Sequence, residues 1–166
     1  EAIEIGKMPN VIAPQTINRR TLMVALLLAL APTLAHANLG SVAEGWNNEA
    51  IAWFDFEDGS AEAKKTGKPM FVVIHASWCP FCKQYRKQFY DSRVVGLATS
   101  FVMIMMDRDL EKAETAKLGP GANYIPRTLI FKADGALRPE IKGANAEFPH
   151  WLAYTHPDEL IAEMNA

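Results

Sequence analysis

Cysteine is nearly absent: the 166-residue chain holds two, with only four histidines. Two thiols cannot weave the cross-linked frame of a small disulfide-stabilised domain. Nor do they make a four-ligand zinc site alone, and beyond residue 37 only His75, His150 and His156 are there to help. An excess of charge is missing as well. Seventeen Lys and Arg stand against nineteen Asp and Glu, for a net charge of −2. Nucleic-acid binding requires a basic face first, so that class is set aside. No repeat or low-complexity tract occurs, and no motif calls for a cofactor or a metal. What remains is an ordinary globular balance of 49% hydrophobic and 22% charged residues, enough for one domain with a sizeable core.

The first 37 residues read unlike the rest. Arg19 and Arg20 precede the apolar run Leu22 to Leu30, and Pro32 leads into Ala35-His36-Ala37. A charged start, a short apolar stretch and an A-x-A site make a secretory leader cut after Ala37. Met8 is a candidate start, which puts Glu1 to Lys7 upstream of the leader. The apolar run is shorter than the roughly 20 residues that span a bilayer, so a retained leader acting as a membrane anchor is the lesser alternative. The expected organisation is a signal peptide and upstream residues over 1–37, a linker over 38–50 and one domain over 51–166. Such a domain is exported to the periplasm, where disulfides persist.

Along that domain the elements alternate. Ile51 to Phe56 reads as a short strand and Glu57 to Thr66 as a helix, capped by Asp58 or Ser60 and ended by Gly67. Met70 to His75 is a continuous apolar run, the pattern of a strand buried on both faces. A helix opened by Pro80 should follow, burying Phe81, Tyr85, Gln88 and Phe89 and leaving Lys83, Arg86 and Lys87 to solvent. Asp91 or Ser92 can cap a further piece to about Thr99, and Phe101 to Met106 is a second apolar strand. Its alternation puts Met103, Met105 and Met106 on both faces, which makes core rather than a copper site. Asp109 to Leu118 is helix-like and Gly119-Pro120-Gly121 breaks it. Arg127 to Lys132 and Ala136 to Ile141 flank Asp134-Gly135 as a hairpin, and Thr155 to Asp158 can cap a last helix to Met164. The order predicts an α/β fold: a central mixed sheet flanked by helices on both faces.

The chemistry gathers in HASWCPFCK, residues 75–83, where both cysteines lie three positions apart. A disulfide across so small a ring adds little stability, because loop-closure stabilisation grows with loop length. A structural bridge and a metal pair are therefore the weaker alternatives. Two-electron exchange explains the spacing. Cys79 would stand at the start of the helix, where free N–H groups favour a thiolate, while Cys82 would be shielded one turn inside. One sulfur attacks a substrate disulfide and the other resolves the mixed disulfide.

Set between a buried strand and a helix, the motif resembles that of the thioredoxin superfamily. More narrowly, FDFEDGSAEAKKTGKPMFVVIHASWCPFCK and YIPRTLIFKADG resemble the small secreted thioredoxin-like domains related to endoplasmic-reticulum thioredoxin-domain and anterior-gradient proteins, with bacterial exported relatives. The likeness covers about Trp53 to Ile141. It implies a thioredoxin-like fold, with Cys79 as the attacking thiol and Cys82 as the resolving one. It also implies that Pro126 follows a cis peptide bond facing the pair, exposing the Ile125 backbone to an extended substrate segment. Trp78 would line the surface for substrate. One departure concerns the strand before the motif, where thioredoxins carry a buried acid and this chain has Val73. His75, a water or a carboxylate from elsewhere would have to serve Cys82, and His75 and Lys83 are candidate tuners of thiol ionisation. Arg127 either contacts substrate or exits to water. His150, Trp151 and Tyr154 form an aromatic cluster without an assigned role.

The expected function is an exported protein-disulfide reductase or isomerase of intermediate potential. Its partners would be cysteine-containing proteins and a membrane or soluble thiol electron donor. The rivals are a non-catalytic chaperone or binding module and a Cu(I) metallochaperone using the same face.

Overall fold

The computed structural model describes residues 40–119, 123–152 and 156–166. The leader, the breaker residues Pro120 and Gly121, Tyr154 and the capping residue Thr155 lie outside the described residues.

Three apolar runs build the sheet. Strand β2 is Met70–His75, β3 is Val102–Asp107 and β4 is Arg127–Phe131, every residue of each buried. A two-residue strand β1, Trp53–Phe54, completes four strands in the order β1-β3-β2-β4. The first three are parallel and β4 runs antiparallel to β2, so the expected mixed sheet forms. Because side chains alternate along each strand, the sheet feeds two cores. Phe71, Val73, Met103, Met105 and Ile130 enter one; Val72, Ile74, Ile104, Met106 and Leu129 enter the other. The methionines divide between the faces as the alternation predicts.

Among the described residues five helices cover those faces: α1 Phe56–Thr66, α2 Pro80–Tyr85, α3 Ser92–Ala98, α4 Lys112–Lys117 and α5 Pro157–Met164. Helix α1 begins one residue before the expected Glu57, because Asp55 rather than Asp58 or Ser60 is the cap. Its carboxylate accepts the Asp58 N–H at 2.7 Å. Gly67 closes the helix at φ 73, the left-handed conformation glycine adopts without steric cost. On its inner side α1 packs so closely that a Cβ on Gly59 would lie 2.4 Å from Ile104 Cγ1. Helix α2 passes into a tighter 3-10 stretch over Arg86–Tyr90, and Asp91 caps α3 through the Arg93 N–H.

Two expectations change. The hairpin after β4 shrinks to a turn and one bridge, Phe131 to Leu137. Gly135 makes the turn at φ 91, and Arg138 N–H still reaches the Ile130 carbonyl at 2.8 Å. Pro139 follows with no N–H to give, and pairing goes no further. Within the stretch read as a linker, Gly40–Ala43 forms a 3-10 turn, and Ala43 and Trp46 are buried in the core beside Trp53 and Phe89. Glycine and asparagine content pointed to a flexible tether; one tryptophan outweighs it through the apolar area it buries.

Candidate active site

Strand β2 ends at His75, and the chain turns through Ala76, whose carbonyl accepts the Cys79 N–H at 3.1 Å. Cys79 is the N-cap of α2, with extended backbone, and its sulfur accepts the Cys82 N–H at 3.2 Å. Pro80 takes the first helical position, where an N–H is not needed. Both cysteines are free thiols, and both are only 2% exposed. The shielding expected of Cys82 is therefore shared by Cys79, and the two differ in bonding, not in exposure. Burial, reinforced by the hydrogen bond with Cys79, pushes the Cys82 thiol far above the ordinary range.

The second half of the site comes from the start of β4. The Ile125–Pro126 peptide is cis, as the likeness implied. Its Ile125 carbonyl faces Cys79 Sγ at 3.8 Å. Helix α2 and β4 are tied directly, since the buried Tyr85 hydroxyl and Thr128 Oγ1 lie 2.8 Å apart. Residues 46 positions apart in sequence thus meet at one sulfur.

The flanking residues separate into two sides. Trp78 is 58% exposed, and its indole N–H donates to Asp109 Oδ2 at 2.6 Å while the Arg108 guanidinium lies over its ring at 5.1 Å. Phe81, expected in the core, is instead 47% exposed, because Cys82 and Tyr85 occupy the inward side of this short helix. It packs edge-on against Trp151 at 5.3 Å; Trp151 contacts Phe148, and Phe148 contacts Tyr124. Of the unassigned cluster, Trp151 thereby joins an aromatic ridge from the motif to Tyr124, the residue before Ile125. Sequence signalled the aromatic content but not the pairing, which depends on how the last loop folds back.

His75 is buried edge-on against Trp46 at 5.1 Å. Among the described residues neither ring nitrogen meets a hydrogen-bond partner at bonding geometry. Burial holds its pKa below the usual histidine value, against the opposing pull of Asp107, its register partner on β3. His75 and Lys83 do not touch the cleft by Ile125; with Cys82, Glu44, Trp46 and Arg86 they line a separate cleft of about 230 Å³. Arg127 does not exit to water: it is buried, and donates to the Thr115 carbonyl at 2.7 Å. The residues missed by sequence are Asp107, Arg108 and Asp109. Asp107 turns the chain after β3 by accepting the Asp109 and Leu110 N–H groups, which sets the next two side chains beside Trp78. Among the described residues no group of three or more His, Cys, Asp or Glu could hold a metal ion, and no helix is long and apolar enough to cross a membrane.

A family model described as thioredoxin-like matches residues 49–133. Anterior gradient protein 3 of Xenopus tropicalis is 27% identical over 104 residues, covering 62% of each chain. Anterior gradient protein 1 of Xenopus laevis is 28% identical over 129 residues, 76% of this chain and 68% of that one. The chain therefore spans a little under two thirds of the length of the first of these. Among solved structures, a thioredoxin from Thermus thermophilus superposes with a TM-score of 0.51 at 21% identity, over 70% of this chain and 85% of that one. The DsbH oxidoreductase does so at 0.50 and 16%, over 69% and 85%. At those identities the superpositions speak for the shared fold.

Proposed function

Because the chain belongs to the thioredoxin-like family, we propose that it is an exported thiol–disulfide oxidoreductase, acting as a reductase or isomerase on cysteine-containing proteins. The observation that carries this is the Cys79 sulfur, which caps α2 through the Cys82 N–H and faces the Ile125 carbonyl. A sulfur so placed accepts a backbone hydrogen bond at the start of the helix, while the partner thiol stays protonated by burial.

In the resting dithiol the Ile125 carbonyl can accept the Cys79 S–H. An extended substrate segment pairing with the Ile125 backbone brings its own N–H to that carbonyl and competes for it. Cys79 gives its proton to solvent, and the thiolate attacks one sulfur of the substrate disulfide. A Cys79–substrate disulfide forms, and the other substrate sulfur leaves and takes up a proton. Cys82 then gives its proton to solvent and attacks Cys79 Sγ, forming the Cys79–Cys82 disulfide and expelling the second substrate sulfur, which takes up a proton in turn. Two electrons have passed from the cysteine pair to the substrate, and a thiol donor must return them. Isomerisation uses the same first step, with the freed substrate sulfur attacking another disulfide.

Cys82→Ala removes only the second step, so it should accumulate covalent adducts on Cys79 in the exported fraction, visible as bands that collapse on reduction. In the unaltered protein the adduct should live longer as pH falls, by about tenfold per unit, because resolution needs the Cys82 thiolate and burial disfavours it. A variant that traps nothing would remove the exchange reading and favour a binding module.

Direction depends on potential. Pro80-Phe81 between the cysteines is expected to set a value between about −270 and −120 mV, the range over which this geometry reduces or oxidises. His75 and Lys83, sharing the cleft with Cys82, are proposed to tune it, His75 replacing the acid absent at Val73. Titration in glutathione buffers should give an intermediate value that moves in His75→Ala. A value near −120 mV would make the protein an oxidant, and an unmoved one would leave His75 to packing.

A further inference from the structure

Ile125, whose carbonyl faces Cys79, also lines a second cleft of about 500 Å³. Its other walls come from β2, the turn after β3, α4 and the start of β4. They carry three cations, Arg108, Lys112 and Arg127, against one carboxylate, Asp109. That carboxylate is engaged on both oxygens: Oδ2 accepts the Trp78 indole N–H, and Oδ1 lies 3.4 Å from Arg108 Nε. Arg108 thus sits between two neighbours, its guanidinium carbon 5.1 Å from the Trp78 ring centroid and its Nε near Asp109. Lys112 is exposed at the opening of α4, while the Arg127 guanidinium is buried in the wall. The cleft therefore carries net positive charge, is partly enclosed, and shares Ile125 with the surroundings of the attacking sulfur.

Resting on the exchange reading, we infer that this cleft is a recognition subsite for an acidic side chain carried by the substrate polypeptide next to its reactive cysteine. A chain paired with the Ile125 backbone must send the residues flanking its disulfide into the cleft, since Ile125 lines it. A carboxylate arriving there meets the positive charge of Arg108, Lys112 and Arg127. A lysine arriving there meets like charge in a site where water is partly excluded, and is repelled. Volume agrees, because 500 Å³ accommodates an amino-acid side chain with its backbone. Charge here sets which disulfides are attacked fastest, not the chemistry of attack.

The test uses three disulfide peptides, identical except for Glu, Gln or Lys beside the attacked cysteine, and reads kcat/KM for their reduction. The Glu peptide should exceed the Lys peptide by about tenfold at low ionic strength. The ratio should collapse in about 1 M salt, where screening acts within roughly 3 Å. Lys112→Glu, a change on the exposed rim, should reduce or invert the ratio. Equal constants for the three peptides would overturn the subsite and leave the exchange reading standing. So would a preference indifferent to both salt and Lys112→Glu. If no peptide is reduced, the exchange reading falls and the subsite with it.

Discussion

Cys79→Ser should abolish disulfide exchange, lowering the rate constant for reduction of a protein disulfide by on the order of a thousandfold or more, while leaving the fold intact. The two halves of that result come from different properties of one atom. As a cap, a serine oxygen can accept the Cys82 N–H as the sulfur does, and serine is among the preferred capping residues. Helix α2 therefore keeps its first turn, and stability should change by no more than about 1 kcal/mol. As a nucleophile, an alcohol is far too weakly acidic to form the anion at neutral pH, and it gives no two-electron couple with Cys82. Thermal melting together with an insulin-reduction assay separates the two. A variant that still reduces insulin would show that Cys79 is not the attacking group, and biological activity without reduction would favour the binding-module rival.

Trp46→Ala should destabilise the domain by about 3–5 kcal/mol, lowering the melting temperature by roughly 10–20 °C for a chain of this size. Trp46 is 2% exposed and makes edge-on contacts with Trp53, His75, Tyr85 and Phe89, at centroid distances of 5.1–6.2 Å. Its carbonyl also accepts the Trp53 indole N–H at 2.8 Å. Nothing nearby can collapse into the space, because those neighbours are held by β1, β2 and the stretch from α2 into the 3-10 turn. The variant should also open the cleft behind Cys82, which Trp46 lines, and so disturb resolution more than attack. A loss below about 1 kcal/mol in a chemical-denaturation experiment would mean that residues before β1 do not belong to the folded unit.

Trp46 marks where local pattern stops being informative. The strands were legible because Met70 to His75 and Phe101 to Met106 are apolar at consecutive positions, which only burial on both faces explains. Gly67 was legible for a similar reason: one residue type fits the left-handed position after a helix. The cis peptide before Pro126 and its closeness to Cys79 were legible from the resemblance. Trp46, Phe81 and the pairing of Asp109 with Trp78 were not, since each depends on a partner far along the chain. Asp107 turns a loop whose side chains meet Trp78, and Phe81 turns outward because Trp151 waits there. Local sequence sets which face is apolar; it does not say which distant segment will cover it.

The hydroxyl pair Tyr85–Thr128 fastens the motif helix to the strand after Pro126, beyond the cysteines themselves. The anchorage thus lies outside the Cys79–Cys82 segment, whose two inner residues, Pro80 and Phe81, are exposed. Such an arrangement is modular: under the proposed exchange function, nature or an engineer can exchange that dipeptide without shifting the mounting that aligns sulfur and backbone.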